Sequence, residues 1–138
     1  MKKREMHNAY ADLEGYNCFG FSPTNPFGLK CKFVDEGEYI TCHWMPSENY
    51  QGFFHILHGG IQATLIDEIA SWAIFSHAQT AGVTTGMEIK YRKPVYTDRG
   101  EISLRAKIVK VEKRLVTARV ELFNAAGELS TEADVVYM

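Results

Sequence analysis

Apolar residues recur at helical spacing through the middle of the chain. No proline interrupts the run from Gly59 to His77, and its length is typical of a globular helix. The pattern predicts one long α-helix over Gly59–His77, opened by a pair of glycines. Apolar side chains cover most of its circumference, so we expect the helix to be buried nearly all round. They are Ile61, Leu65, Ile66, Ile69, Ala70, Trp72, Ala73, Ile74 and Phe75.

A single stripe of the predicted helix is polar. Thr64, Asp67, Glu68 and Ser71 stand at positions i, i+3, i+4 and i+7, which places all four on one face. On its own, such a stripe is usually a solvated surface. On a helix that is otherwise apolar, it becomes a candidate for chemistry.

Alternation of apolar and polar residues predicts strands on both sides of the helix. Two strands are expected before it, over residues 29–34 and 38–45, joined by a turn at residues 35–37. Four longer strands are expected after it, with alternating segments at 87–92, 102–108, 116–122 and 135–137. The start of the chain is expected to hold a short helix ending at Gly15, followed by an ordered loop over residues 16–28.

These elements together predict an α+β fold. Period-two patterning with short connections indicates an antiparallel sheet that has one buried face. Two strands, one buried helix and four further strands then form a curved antiparallel sheet wrapped around one long central helix. No repeat or linker divides the chain, so residues 1–138 are predicted to form a single domain.

Composition and charge exclude several classes of protein. Hydrophobic residues make up 46% of the chain and charged residues 23%, with a net charge of -2, which indicates neither disorder nor a nucleic-acid-binding surface. No apolar run reaches the roughly 18 residues of a membrane span, and the N-terminal charges precede no apolar signal segment. Cys18, Cys31 and Cys42 show no metal-ligand spacing. We therefore expect a cytoplasmic protein with reduced thiols, no metal and no membrane or nucleic-acid partner.

The glycine pair at the start of the helix is the first chemical candidate. Gly59 and Gly60 leave the first N–H groups of the helix uncovered, at the positive end of the helix dipole. Such groups can form an oxyanion hole for a carbonyl that undergoes acyl transfer. Taken alone, two glycines before a helix favour the other interpretation, a tight entry turn with no chemical role. His58, in turn, is either a catalytic group or a residue that hydrogen-bonds the start of the helix.

Asp67 is the second candidate, because a carboxylate can activate water or attack an acyl group directly. Within one helix, Asp67 lies roughly 10 Å from Gly60, since each residue rises 1.5 Å. One helix therefore does not present both groups to the same carbonyl. A second subunit with an antiparallel helix alongside does, so the chemistry favours an active site at a dimer interface.

The segment from Gln51 to Glu68 resembles the phenylacetate-degradation-type (PaaI-like) branch of the hotdog thioesterase superfamily. The family pattern is His-Gly-Gly followed by an acidic residue nine positions after the histidine, and His58-Gly59-Gly60 with Asp67 fits it. The segments Gln51-Gly52-Phe53 and Tyr91-Arg92-Lys93-Pro94 are also similar to that family. The resemblance implies a hotdog fold, assembled as a homodimer and as a dimer of dimers.

The resemblance also implies a role for individual residues. Gly59 would polarise the thioester carbonyl, Asp67 of the partner subunit would be the base or nucleophile, and Thr84 would orient water. Arg92 and Lys93 would lie near the phosphates of coenzyme A. The remaining expected catalytic and substrate-binding positions are His58, Gly60, Gln51, Gly52, Glu68, Gly82, Val83 and Thr85.

Two positions depart from the family pattern. Gly52 stands where some members carry an asparagine that binds the carbonyl, and Gln51 or His55 are the possible substitutes. The segment Cys18-Phe19-Gly20-Phe21-Ser22 replaces a CFGCG-like sequence of some relatives. In addition, Glu68 beside Asp67 makes two carboxylates available, and the spacing from His58 favours Asp67.

The leading hypothesis is therefore a hydrolase that converts an acyl-coenzyme A thioester to free acid and coenzyme A without any cofactor. A non-catalytic acyl-coenzyme A binding module is the alternative, and a hotdog dehydratase or a purely structural oligomer fits the motif less well. Four aromatic residues are candidates either for an acyl pocket or for the core. They are Trp72, Phe75, Phe53 and Phe54.

Overall fold

The computed structural model describes residues 3–7, 9, 12–80 and 82–138 of the chain. Its elements are seven strands, one α-helix and a 3-10 turn at Glu48–Tyr50. In chain order they are β1 (Arg4–Glu5), β2 (Phe33–Asp35), β3 (Ile40–Trp44), α1 (Gly59–His77), β4 (Thr84–Tyr91), β5 (Ile102–Glu112), β6 (Leu115–Phe123) and β7 (Leu129–Tyr137). The predicted helix and the four predicted strands after it are therefore confirmed. Before the helix, the strand predicted over residues 29–34 is shorter and later than expected, at Phe33–Asp35, and β1 is an additional strand.

All seven strands form one antiparallel sheet in the order β1-β2-β3-β5-β6-β7-β4. The helix α1 lies against one face of this sheet and contacts β3, β4, β5, β6 and β7. β4 follows the helix in the chain but pairs with the last strand, β7. It therefore forms one edge of the sheet, while β1 forms the other.

The core is the interface between one side of α1 and the inward face of the sheet. Leu65, Ile66, Ile69, Ala73 and Ile74 are almost fully buried, at positions that follow the helical repeat. The expectation that α1 is buried nearly all round is wrong for the single chain. The side chain of Phe75 is 48% exposed, and the polar stripe is only half-buried. No helix in the described part of the chain has the length and apolar character needed to cross a bilayer.

The first third of the chain differs from its prediction in detail. The short helix expected to end at Gly15 falls partly on residues 8, 10 and 11, which lie outside the described residues. Just before them, Arg4–Glu5 forms the short strand β1, which pairs with β2. The turn after β2 is as predicted: Gly37 has φ +99° and donates its N–H to Asp35 Oδ1 at 2.9 Å. All three cysteines are free thiols.

One buried polar pair fixes the start of α1 to the sheet. Gln62 and Thr131 are 3% and 0% exposed. Thr131 Oγ1 donates to Gln62 Oε1 at 2.6 Å, and Gln62 Nε2 donates to the carbonyl of Leu57 at 3.3 Å. Because buried polar groups are costly when unpaired, this chain of bonds favours one position of the helix start relative to β7.

We expect Gln62→Met and Thr131→Val each to lower the free energy of unfolding by about 1–3 kcal/mol, because each leaves the other polar group buried and unpaired. The double variant should lose about 1 kcal/mol less free energy of unfolding than the sum of the two single losses. Urea unfolding of the four proteins measures this coupling. Strictly additive losses would show that the pair does not act as a unit.

Candidate active site

Asp67 is held by two hydroxyl groups that come from different strands. Its Oδ1 accepts a hydrogen bond from Thr84 Oγ1 at 2.5 Å and another from Tyr137 Oη at 3.1 Å. Tyr137 Oη also lies 3.2 Å from the backbone oxygen of Asp67. Within the described part of the chain, no donor is recorded for Asp67 Oδ2. One carboxylate oxygen is thus anchored, and the other keeps its lone pairs for a substrate or water.

Tyr137 is a site residue that the sequence analysis missed. It lies on β7 opposite Thr84 of β4 in the strand register, so the two donors reach Asp67 from adjacent strands. Burial, followed by the nearby Asp67 charge, raises the pKa of Tyr137 to about 12. The hydroxyl is therefore protonated at neutral pH and remains a donor. Its position at the end of an alternating strand gave no signal of this role.

The start of α1 is capped by His58. Its Nδ1 accepts the N–H of Gly60 at 2.8 Å, so the structure places His58 in the helix-capping position. The N–H of Gly59, in contrast, has no recorded partner among the described residues. Of the two glycines, Gly59 therefore carries the N–H that is free to bind a ligand oxygen.

A groove runs beside this free N–H. It has a volume of about 260 Å³, and Gly59, Gln62, Tyr91, Arg92 and Lys93 are among its lining residues. We call it the Gly59 groove. Tyr91 Oη donates to the carbonyl of Gly59 at 2.8 Å, which connects the end of β4 to the start of α1.

The two basic residues of the groove are each paired with a carboxylate. Arg92 Nε lies 2.8 Å from Glu132 Oε2, and Lys93 Nζ lies 2.9 Å from Glu128 Oε2. Their side chains remain 51% and 52% exposed. The Lys93 pair is exposed on both sides and is therefore weak, whereas the partner of Arg92 is only 13% exposed. Both cationic side chains can still be reached from solvent by an anionic ligand.

The loop before α1 forms a small hairpin. Gln51 Oε1 accepts the N–H of His55 at 3.2 Å, so Gln51 stabilises the loop itself. Gly52 lies against His58, since a Cβ at Gly52 would be 3.3 Å from His58 Cα. Phe53 and Phe54 at the tip are 78% and 74% exposed, so neither belongs to the core.

Three other expected site residues lie before or at the start of β4. A side chain at Gly82 would collide with the carbonyl oxygen of Met138, so close backbone approach requires glycine there. Val83 is exposed and exchanges backbone hydrogen bonds with Met138. Thr85 Oγ1 donates to the carbonyl of Val136 at 3.2 Å, on the exposed side of the strand. Of the two threonines, Thr84 is therefore the one that contacts Asp67.

Glu68 lies in a different environment from Asp67. Its Oε1 accepts a hydrogen bond from Cys18 Sγ at 3.2 Å. Burial, partly offset by this bond, raises the pKa of Glu68, and the adjacent Asp67 raises it further. A Cβ at Gly20 would lie 2.8 Å from Glu68 Cδ, so the loop that carries Cys18 packs directly on this carboxyl group.

A cavity of about 280 Å³ opens beside this carboxyl group. We call it the Glu68 cavity, and its lining includes Cys18, Glu68, Ser71, Trp72, Phe75 and Tyr137. Trp72 and Phe75 are therefore cavity residues, with ring centroids 5.4 Å apart. Tyr137 lines the cavity and also bonds Asp67, so the cavity adjoins the anchored carboxylate. The structure brings Asp67, Thr84, Tyr137 and Glu68 together, and it leaves Gly59, Arg92 and Lys93 at the other end of the helix.

The chain is similar to proteins of one known family. Residues 54–131, more than half of the chain, match the family model described as the thioesterase superfamily. Acyl-coenzyme A thioesterase 13 from mouse is 35% identical over 88 residues, which are 63% of this chain and 62% of that protein. The chain thus matches less than two thirds of the length of this curated relative.

Solved structures share the architecture. Thioesterase superfamily member 2 from mouse superposes with a TM-score of 0.69 and is 31% identical, over 79% of this chain and 82% of that chain. A hypothetical thioesterase from Streptococcus pneumoniae, solved with coenzyme A, has a TM-score of 0.66 at 20% identity, over 72% of this chain and 76% of that chain. The sheet wrapped around α1 is therefore the hotdog fold, as the sequence resemblance implied.

The Glu68 carboxyl group should make stability depend on pH. Because its pKa is raised in the folded protein, ionisation costs stability as the pH rises above the ordinary glutamate value of 4.5. Glu68→Gln removes the charge and keeps a partner for Cys18. We expect a midpoint of thermal unfolding several degrees higher than wild type at about pH 7.5, and the gain should shrink toward about pH 4.

The matched control is Glu14→Gln, which removes the same charge at an exposed position. It should change the midpoint by much less, and without this pH dependence. A Glu68→Gln protein that is less stable than wild type at pH 7.5 would contradict the assignment of Glu68 as a destabilised buried carboxylate.

Proposed function

The chain belongs to the thioesterase superfamily, and from this membership and the geometry of the site we propose that it is an acyl-coenzyme A thioesterase. The reaction is hydrolysis: a water oxygen adds to the thioester carbonyl, the C–S bond breaks, and free acid and coenzyme A leave. The observation that carries the proposal is the anchored Asp67 carboxylate, which adjoins a cavity lined partly by aromatic rings. A carboxylate in such a place suits a general base.

Asp67 acts on water in this proposal. Thr84 and Tyr137 both donate to Oδ1, which spreads charge on that oxygen and fixes the orientation of the carboxylate. Oδ2 then takes the proton of the attacking water. The same donors lower the basicity and the nucleophilicity of the carboxylate together, so they orient Asp67 for either route, attack through water or a mixed anhydride with the substrate.

Gly59 supplies the oxyanion contact. Its free N–H lies at the N-terminus of a 19-residue helix, where the helix dipole favours negative charge. His58 supports this contact by capping Gly60 and by holding the start of the helix in one conformation. The thioester carbonyl would therefore bind at Gly59, with its oxygen directed at this N–H.

The active site is completed by a second copy of the chain. Asp67 lies eight positions after Gly59, which is about 12 Å along the helix. β4 is an eight-residue edge strand, and Val83, Met87 and Tyr91 on or beside it are 71%, 39% and 52% exposed. A two-fold axis at this edge would continue the sheet and place two α1 helices antiparallel, each Asp67 near the partner's Gly59. A dimer of such dimers is the larger assembly that the resemblance implies.

Coenzyme A would extend along the Gly59 groove. Arg92 and Lys93 line this groove, and their partly exposed cations suit the phosphates of the nucleotide. The Streptococcus pneumoniae thioesterase solved with coenzyme A supports this ligand class. The acyl chain would enter the Glu68 cavity.

Two variants test whether the N–H of Gly59 contributes to catalysis. Gly59→Pro deletes the N–H and adds a ring, and the backbone tolerates it, because proline suits the first helical position and His58 already has φ -56° and ψ 133°, which a following proline accepts. We expect it to lower kcat/KM for an acyl-coenzyme A by about 10²–10³-fold. Gly59→Ala retains the N–H and makes only an ordinary contact with Tyr91, so it should stay within a fewfold of wild type.

Asp67→Asn should abolish turnover while the protein stays folded, as judged by circular dichroism. Mixed with Gly59→Pro and refolded together, it should recover about a quarter of wild-type activity, because half of the dimers would then hold one intact site. Release of coenzyme A, followed with a thiol reagent, measures this. If the mixture stays inactive although the two chains assemble, the shared site is wrong; turnover by neither wild type nor mixture would refute the hydrolase itself.

Thr84→Val and Tyr137→Phe should each reduce kcat about tenfold with little change in KM, since each removes one donor to Asp67 Oδ1 and Tyr137→Phe keeps the ring that lines the Glu68 cavity. Thr41→Val is the matched control. It removes a hydroxyl that bonds the carbonyl of Val34 on β2, away from the site. An unchanged kcat in both variants would mean that anchoring Oδ1 does not contribute to catalysis.

A further inference from the structure

The Glu68 cavity contains a polar group that the proposed hydrolysis does not use. Asp67 serves as the base, yet Glu68 lies beside it on the same helix and lines the cavity. Among the described residues, one hydrogen bond reaches its carboxyl group, from the Cys18 thiol. A carboxylate accepts about four hydrogen bonds, so most of its capacity remains unused.

The rest of the described cavity lining is mostly apolar and offers this carboxyl group no cation. Trp72, Phe75 and Ile74 supply apolar surface, while Ser71 uses its hydroxyl to bond the backbone oxygen of Glu68. No lysine, arginine or histidine belongs to the described lining. A second carboxylate brought into the cavity would therefore meet Glu68 with no cation to offset the repulsion.

We infer that Glu68 determines which acyl groups the protein accepts: the Glu68 cavity favours acyl chains that end in a hydrogen-bond donor, such as a hydroxyl, and rejects chains that end in a carboxylate. This inference rests on the proposed thioesterase function. Cys18 acts as a positioning residue, because its bond to Oε1 and the close packing of Gly20 hold the carboxyl group in place. The aromatic side chains contribute affinity, and Glu68 contributes the selection.

The cavity has a size that suits this role. About 280 Å³ is close to the lower limit of small-molecule sites, about 300–1,000 Å³, so it suits a short or medium acyl chain. Tyr137 lines the cavity and bonds Asp67, so a chain that fills the cavity keeps its thioester near the base. A buried polar group discriminates strongly between partners that can bond it and partners that cannot.

The experiment compares acyl-coenzyme A substrates of matched chain length that end in a methyl, a hydroxyl or a carboxylate group, at several lengths. For wild type we expect kcat/KM for the hydroxyl-ended substrate to exceed that for the carboxylate-ended one at least about tenfold at the best length. Glu68→Gln, which can donate to a carboxylate, should reduce this ratio at least about tenfold. Cys18→Ser keeps a donor to Glu68 and should preserve most of it, whereas Glu14→Gln should preserve all of it.

The outcomes separate this inference from the proposed function. Turnover with a ratio that Glu68→Gln does not change would overturn the role of Glu68 and leave the thioesterase intact. If no substrate turns over, binding of the same compounds is followed by the fluorescence of Trp72, with Trp72→Phe identifying its signal. A binding preference that shifts in Glu68→Gln would then support the role of Glu68 in a binding protein, and an unshifted preference or no binding would overturn it.

Discussion

The fixed rise of an α-helix is the constraint on which the candidate site depends. Gly59 and Asp67 belong to the same rigid element, about 12 Å apart along its axis, so no side-chain rotation brings them to one carbonyl. The two groups become useful together only when two helices run antiparallel. The exposed edge of β4 offers the surface on which a second copy continues the sheet. Under the proposed function, dimerisation is thus part of the chemistry and not an addition to it.

The fold contributes to the site through strand order. β4 follows the helix in the chain, but it pairs with β7, and this places Thr84 opposite Tyr137. Both hydroxyl groups then reach the same oxygen of Asp67. A partly buried carboxylate without donors would cost several kcal/mol, whereas hydrogen bonds to a charged group each return about 1.5–3 kcal/mol. The sheet topology therefore permits a carboxylate to lie against the core.

The pattern of neighbouring residues predicted the features that depend on neighbouring residues. The apolar repeat of Gly59–His77 defined the helix at both ends, because the helical period and length can be read from consecutive residues. Contacts between distant segments could not be predicted in this way: Cys18 and Glu68 are 50 positions apart, and Tyr137 and Asp67 are 70. The exposed side of α1 was misjudged for a related reason. Apolar residues such as Phe75 signal burial, but they do not indicate whether the same chain or another copy provides it.

The two adjacent carboxylates are distinguished by their donors. Sequence spacing favoured Asp67 over Glu68 only through the family pattern, and the structure shows that the two carboxylates have different donors. Asp67 receives two hydroxyl groups, which are strong donors, and Glu68 receives a thiol, which is a weak one. Burial therefore dominates at Glu68 and raises its pKa. A weakly satisfied carboxyl group facing a cavity gains most from a ligand that donates to it, and under the proposed function the well-anchored Asp67 is oriented for proton transfer. On that proposal, neighbouring positions on one helix acquire separate roles from the loops and strands that contact them.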